Sequence, residues 1–198
     1  VCSSDLNNCP VRGSLLLNTG HSGLDESQYA TEIVRREFEP VFFLHDLIPI
    51  THPQYCRAGE EVRHHQRLET MLRMGKGLIV NSHHTDRELK TYAKTMGYGM
   101  PRCVVAPLAP AQFSKYNAEP PIDVPYFVML GTIEPRKNHA LMIEVWRQVV
   151  QSGLTVPPRL IVIGQQGWDV APLMQTLRQG GRLGGLIMLR ERVRDDEL

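Results

Sequence analysis

Four stretches of the chain place polar, reactive side chains where a short apolar run ends. The first reads Gly131-Thr-Ile-Glu134-Pro-Arg136-Lys137-Asn138-His139 and follows the apolar run from Tyr126 to Leu130. A loop there delivers two cations to the start of an amphipathic stretch, and Asn138 is placed to cap that helix. Cations, unpaired backbone N–H groups and the positive end of a helix dipole then converge on one point, which suits a phosphate or diphosphate. The glycine spacing is neither that of the G-x-G-x-x-G dinucleotide turn nor that of a Walker A loop. The same residues also make a solvated basic loop in which Pro135 sets the turn.

The second stretch is Val41-Phe-Phe-Leu-His45-Asp46-Leu-Ile-Pro49. A His–Asp pair at the carboxyl end of a buried strand lies where open α/β sheets bind ligands. A neutral imidazole positions or deprotonates a hydroxyl, and the next carboxylate orients it or holds a hydroxyl itself. The plainer alternative is a histidine hydrogen-bonded inside a strand-end turn. The third stretch, Asn81-Ser82-His83-His84-Thr85-Asp86, follows another apolar run and opens a helix. Asn81 and Ser82 are candidates for a cleft, and Ser82 or Thr85 equally for the helix cap. The fourth, Ile163-Gly164-Gln-Gln-Gly167-Trp168, is a glycine turn with an aromatic beside it: a nucleotide neighbour or a packed tryptophan.

Eight histidines raise the question of a metal. His64-His65 and His83-His84 are adjacent pairs, whose members point to different sides of a helix, and no H-E-x-x-H occurs. His65 shares a helical face with Ala58, Val62, Leu68 and Leu72, so it is expected in the core. No metal site is expected. There is no G-x-S-x-G elbow, and no cysteine is placed as a nucleophile.

The elements that must hold these residues alternate. Apolar runs at 41–45, 78–81, 103–106, 126–130, 160–163 and 186–189 read as strands. They are continuous rather than alternating, which predicts burial on both faces of a parallel sheet. Helices are predicted at 27–37, 58–74, 85–96, 139–151 and 171–178. In the helix at 139–151 the polar residues Glu144, Arg147, Gln148 and Gln151 share one face. A wide apolar arc of Leu141, Met142, Ile143, Val145, Trp146, Val149 and Val150 faces a sheet. The fold class is therefore α/β. Five prolines between Pro107 and Pro125 interrupt the pattern and read as a linker. The division expected is residues 7–107, a linker at 108–125, and residues 126–198.

Composition narrows the class further. With 198 residues there is room for one domain or two small ones, and 42% hydrophobic content is that of a globular chain. Twenty-two basic and 21 acidic residues leave a net charge of +1, so nucleic-acid binding by bulk charge is excluded. No apolar run is long enough for a transmembrane span. Four cysteines without a C-x-x-C pair point to a reducing compartment. Residues 1–6 read as a non-native leader. The stretch from Arg194 to Leu198 reads as the first turn of a helix, so the chain is expected to be an internal fragment.

Taken together, the segments resemble retaining glycosyltransferases of family 4 (GT4). The run Gly131 to His139 looks like that family's donor-domain motif. Leu17 to Leu24, His45 to Pro49, Ile79 to Ser82, Ile163 to Trp168 and Val193 to Leu198 match in order. The subgroup resembled includes bacterial mannosyltransferases that build O-antigen and capsular polysaccharides. The resemblance implies the GT-B fold: two Rossmann-like domains with parallel sheets, both incomplete in this stretch, an acceptor-side one followed by a nucleotide-sugar-binding one. It implies catalysis without a metal or cofactor, the donor being a nucleoside-diphospho-sugar, with GDP-mannose the guess from the subgroup. By motif match, Arg136 and Lys137 hold the donor diphosphate and stabilise charge on the leaving nucleotide. Gly131 lets backbone approach the phosphates, His45 contacts the transferring sugar or an acceptor hydroxyl, and Asp46 is carried over beside it. Asn81, Ser82, Gly164 and Val193 fall in the cleft or nucleotide-base region.

The acceptor implied is a glycan or lipid-linked glycan, with a cytoplasmic location and peripheral membrane contact where the acceptor is a lipid. The family's glycine-rich donor loop and its sugar-side pair of glutamates do not occur in this sequence. The chain by itself is therefore expected to be catalytically incompetent and to expose apolar surface. A GT-B epimerase or phosphorylase and a non-catalytic nucleotide-sugar-binding module stand as alternatives.

Overall fold

The computed structural model describes residues 12–110, 122–180 and 183–194. Residues 1–6, expected to be a non-native leader, the middle of the proline-rich stretch and the end of the chain from residue 195 lie outside them. The chain divides into two compact units, Val1–Gln112 and Phe113–Leu198.

The first unit begins with strand β1 (Leu15–Asn18) and helix α1 (Ser27–Arg35). Strand β2 (Glu39–Leu44), the short helix α2 (Ile48–Thr51) and the long helix α3 (Glu60–Met74) follow. Strand β3 (Gly77–Val80), helix α4 (His83–Met96) and strand β4 (Arg102–Val105) complete it. The sheet is parallel throughout, in the order β1-β2-β3-β4. Strand β1 was not anticipated, because four residues between turn formers carry little periodicity. Helix α1 stops at Arg35, short of the predicted 37. Glu37 turns left-handed at φ 56°, and its N–H and that of Phe38 bond to the Val34 and Ile33 carbonyls. This closes a Schellman motif, with Phe38 buried as its apolar partner.

Burial alternates along these strands, which corrects the expectation that both faces are covered. Leu16, Phe42, Leu44, Leu78 and Val80 pack under α1, α3 and α4, against Tyr29, Ile33, Leu68, Met71, Leu89 and Ala93. Strands added in sequence order through right-handed crossovers place every crossover helix on one face. On the other face Leu15, Leu17 and Val104 are at least half exposed, beside half-buried Val41, Phe43 and Ile79.

A second correction concerns α3. His64, Arg67, Leu68, Met71 and Leu72 are its buried residues, while Val62 is exposed. His65, expected in the core, is half-buried and bonds the Tyr92 hydroxyl through Nδ1 at 2.8 Å. Leu68 and Leu72 of the predicted face are buried, while His64 and Arg67 turn inward in place of Val62 and His65.

The second unit holds strand β5 (Tyr126–Leu130), helix α5 (His139–Gln151), strand β6 (Arg159–Ile163), helix α6 (Ala171–Arg178) and strand β7 (Ile187–Arg190). Its sheet is parallel, in the order β5-β6-β7. The core joins Ile133, Ile143, Trp146, Leu160, Val162, Met174, Leu177 and Ile187. Helix α5 has the predicted bounds, but only His139, Ile143 and Trp146 are buried. Leu141, Val145 and Val150 of the predicted arc face outward. Trp146 donates its indole N–H to the Pro158 carbonyl at 2.9 Å and meets Phe127 edge-on.

The two faces of the first sheet should respond differently to substitution. Replacing Leu15, Leu17 and Val104 together by threonine should reduce binding of a hydrophobic dye while each change costs no more than about 0.5 kcal/mol. Phe42→Ala, on the covered face, should cost about 3–5 kcal/mol in urea unfolding.

Candidate functional site

In the first unit, parallel pairing brings the carboxyl ends of β1, β2 and β3 to one edge of the sheet. His45 follows β2, and its Nε2 donates to the Thr19 carbonyl just past β1 at 3.1 Å. A carbonyl only accepts, so His45 carries a proton on Nε2, and in the neutral ring Nδ1 is the acceptor. Asp46 does not orient His45 in this arrangement. Its Oδ1 accepts the Ile48 N–H at 3.0 Å and starts α2, while its carbonyl accepts from His64 Nε2 at 3.0 Å.

Asn81 and Ser82 join the same edge from β3. Ser82 caps α4, accepting the Thr85 N–H at 3.1 Å, which settles the cap between Ser82 and Thr85. The buried Thr85 hydroxyl lies 3.0 Å from Asn81 Oδ1 and 3.4 Å from the His45 carbonyl. The loop after β1 is equally tied. Buried Asn18 donates to the Tyr29 hydroxyl at 2.6 Å and accepts the Gly20 N–H at 3.0 Å. Asp25 receives Arg63 at 2.8 Å and the buried Arg67 at 3.3 Å, and Arg67 also reaches Glu60. Thr70 donates to the Leu24 carbonyl at 2.8 Å.

Two members of this site were missed in the sequence. His21 lies 5.4 Å from both His45 and His64, ring centre to ring centre. His64 is 1% exposed. Burial first, then the neighbouring imidazoles and Arg67, lowers the His21 pKa to about 4, against a smaller opposing pull from Asp46. Burial also lowers that of His64, against the pull of the Asp46 carbonyl and charge. The signal available was the alignment of His21 and His45 at neighbouring strand ends, which needs β1 to be recognised as a strand.

In the second unit Arg136 and Lys137 sit on a 3-10 turn, Pro135–Lys137, between β5 and α5. Gly131 takes φ 135°, and a side chain there would meet Lys137 Nζ at 3.3 Å. The glycine therefore leaves the space the ammonium occupies. Arg136 is half-exposed and pairs with Glu134 at 2.7 Å. Asn138 is corrected as a cap. It is left-handed at φ 52°, and its side chain makes no capping bond. His139 begins α5 fully buried, with its pKa lowered by burial and then by Lys137.

Gly164 serves close packing of the two turns. A Cβ there would lie 2.0 Å from the Gly131 carbonyl, and one at Gly167 2.7 Å from the Ile133 carbonyl. Gly131 N–H bonds Ile163 O, and Ile133 N–H bonds Gln165 O, both at 2.9 Å. Val193 is half-buried, just past β7. His45, Asp46, Asn81 and Ser82 thus meet within the first unit, and Gly131, Arg136, Lys137 and Gly164 within the second. Among the described residues no three His, Cys, Asp or Glu side chains are arranged to hold a metal ion.

No profile of a known protein family matches the chain. A 74-residue stretch is 32% identical to the serotype-specific mannosyltransferase WbdA of Escherichia coli, covering 37% of this chain and 9% of WbdA. The chain thus spans about a tenth of the length of the curated relatives it matches. The solved structure of TarM superposes with a TM-score of 0.67 at 12% identity, covering 98% of this chain and 36% of TarM. A mutant of S. aureus TarM in complex with fondaparinux, alpha-GlcNAc-glycerol and UDP gives 0.59 at 11%, over 96% and 36%. The GtfA/B complex gives 0.56 at 11%, over 99% and 38%. The fold is the parallel α/β architecture of GT-B glycosyltransferases.

The lowered histidine values set a pH dependence. Because the folded values lie below the ordinary 6.5, the unfolded chain takes up protons first as pH falls. Stability should be intact above about pH 6.5 and decline toward about pH 4, by at most about 1.4 kcal/mol per unit for each histidine. Urea midpoints at pH 7.5 and 5.0 measure this, a window in which most carboxylates stay ionised. His21→Asn should flatten the decline, and an unchanged slope would show that its burial is not felt.

Proposed function

We infer that this chain is part of a retaining glycosyltransferase. It moves a sugar from a nucleoside-diphospho-sugar to a glycan or lipid-linked glycan in surface-polysaccharide assembly. The observation that carries the reading is the basic turn between β5 and α5. Lys137 Nζ lies over Gly131 and Arg136 sits beside it, at the carboxyl end of a parallel strand and the start of a thirteen-residue helix. That is where an α/β sheet offers backbone N–H groups and positive charge to a phosphate. The matched mannosyltransferase stretch and the GT-B fold support the same reading.

Each residue then has a stated task. Lys137 neutralises the diphosphate. Arg136 exchanges its Glu134 partner for a phosphate oxygen and forms paired charge-assisted hydrogen bonds with it. As the sugar leaves, charge grows on the departing nucleotide, and both cations stabilise it without moving a proton. His45, protonated on Nε2, accepts a hydroxyl of the sugar or acceptor at Nδ1. The retaining outcome follows from the family 4 resemblance. Mannose and GDP are the donor chemistry we favour, supported by the likeness to WbdA. The UDP in the TarM complex supports a nucleoside diphosphate as the donor class. No described helix is long and apolar enough to cross a membrane. The reading assigns the enzyme to the cytoplasm, with peripheral membrane contact where the acceptor is lipid-linked.

Titration calorimetry of the chain with GDP and with UDP tests the donor side. Binding should be measurable, weaken with salt, and fall at least about tenfold in Arg136→Glu with Lys137→Glu, since each lost charge-assisted bond is worth about 1.5–3 kcal/mol. In the longer enzyme the same pair of changes should lower kcat/KM by about 100-fold or more. Undiminished nucleotide binding by the double variant would overturn the assignment.

A further inference from the structure

Two ring nitrogens beneath His45 are buried and make no hydrogen bond: His21 Nε2 and His64 Nδ1. An unmet buried nitrogen is costly, so two of them on neighbouring rings call for an explanation. Their proton states are complementary. His64 Nε2 faces the Asp46 carbonyl at 3.0 Å, so it carries the proton, and Nδ1 of the neutral ring is an acceptor. His21 can place its proton on Nε2 as the matching donor. Their ring centres are 5.4 Å apart with a 60° tilt. That separation is within reach of an N–H···N bond of about 2.9 Å once the two nitrogens are turned toward each other.

Burial and the charge of Arg67 favour the neutral forms of both rings, while Glu60 favours the charged form of His64. Arg67 is buried in α3 among Asp25 and Glu60, and its charge opposes protonation of both rings. Asp46 pulls the other way but is bonded to the Ile48 N–H. His45 also meets His21, edge-on at 66° with ring centres 5.4 Å apart. His64 in turn holds the carbonyl of the residue that follows His45.

We propose that His21 and His64 are positioning residues, a buried imidazole pair with His21 Nε2–H bonded to His64 Nδ1. Through the Asp46 carbonyl the pair fixes the strand end that presents His45 with Nδ1 free to accept a ligand hydroxyl. Neither ring needs to touch substrate. His64 sets the path of the backbone at residues 45–46, and His21 fills the space behind the His45 ring. The structural part stands on the geometry alone. Its consequence for sugar transfer rests on His45 being the hydroxyl-facing residue inferred above.

The test separates the two. In the chain with 15N-labelled histidine at pH 7.5, His21, His45 and His64 should all show the Nε2–H tautomer. A through-hydrogen-bond nitrogen coupling should join His21 Nε2 to His64 Nδ1. The absence of that coupling together with His21 protonated on Nδ1 would overturn the pair, whatever the chain binds. His64→Gln keeps a donor at the Nε2 position and should preserve the His45 tautomer. His64→Met removes it and should leave His45 in a mixture of tautomers. If His64→Met does not fold, His21→Asn tests the same pair. Its His64 Nε2–H should exchange with solvent faster than in the parent chain, and an unchanged rate would count against the pair.

In the longer enzyme His64→Met should lower kcat about 10- to 100-fold with donor KM little changed, and His64→Gln should restore most of it. Equal losses in both variants would reduce His64 to a packing residue. An intact coupling in a chain that binds no nucleoside diphosphate would leave the pair standing and remove the transferase reading instead.

Discussion

Parallel pairing allows no tight turn between neighbouring strands, so each must be followed by a crossover. Every strand in both units therefore delivers its carboxyl end to the same edge of its sheet. That constraint assembles the polar residues here. Thr19, His45 and Asn81 are far apart in sequence. They become neighbours only because β1, β2 and β3 run the same way in register, with Leu17 opposite Val41 and Phe43 opposite Ile79. In the second unit the same rule sets Gly131 beside Gly164, since Leu130 pairs with Ile163. Local motifs supply the side chains, and strand direction supplies the site.

The cost of convergence is met differently in the two units. In the first, polar loops are held by hydrogen bonds that are buried or partly buried: Asn18 to Tyr29, Thr85 to Asn81, His64 to Asp46. Such bonds gain strength from the low local dielectric and lose it if one partner is removed. In the second, the turns after β5 and β6 are drawn together by backbone bonds across Ile133. They touch so closely that Gly164 has no room for a side chain. The first arrangement orients imidazoles, and the second brings main-chain N–H groups near two cations.

Much of this was legible in the sequence. The bounds of α5 follow from its periodicity and from the loop before it, and the apolar runs of β2, β3, β5 and β6 fall close to their observed limits. The basic turn at Arg136 and Lys137, and His45 at a strand end, were readable because both sit at a change from apolar run to loop. What could not be read depended on neighbours. A continuous apolar strand looks the same whether one face or two are covered, so Leu15 and Leu17 gave no warning of their exposure. In α3 His64 and Arg67 turn inward in place of Val62 and His65. Asn138 has the side chain of a cap, yet its left-handed backbone turns it away from that use. His21 lay inside a segment that matched the family, Leu17 to Leu24, but nothing local marked it as a site residue, because its partners are supplied by β2 and α3.

Trp146 carries a practical consequence beyond its packing. The chain has two tryptophans, Trp146 and Trp168, and both belong to the second unit. Trp146 is sheltered against Phe127 with its indole bonded to the Pro158 carbonyl, so its emission changes when that shelter opens. The first unit contains tyrosines but no tryptophan. Fluorescence excited at the red edge of indole absorption therefore reports melting of one half of the molecule and is blind to the other. Circular dichroism sees both, so any gap between the two transitions measures directly whether the halves unfold together.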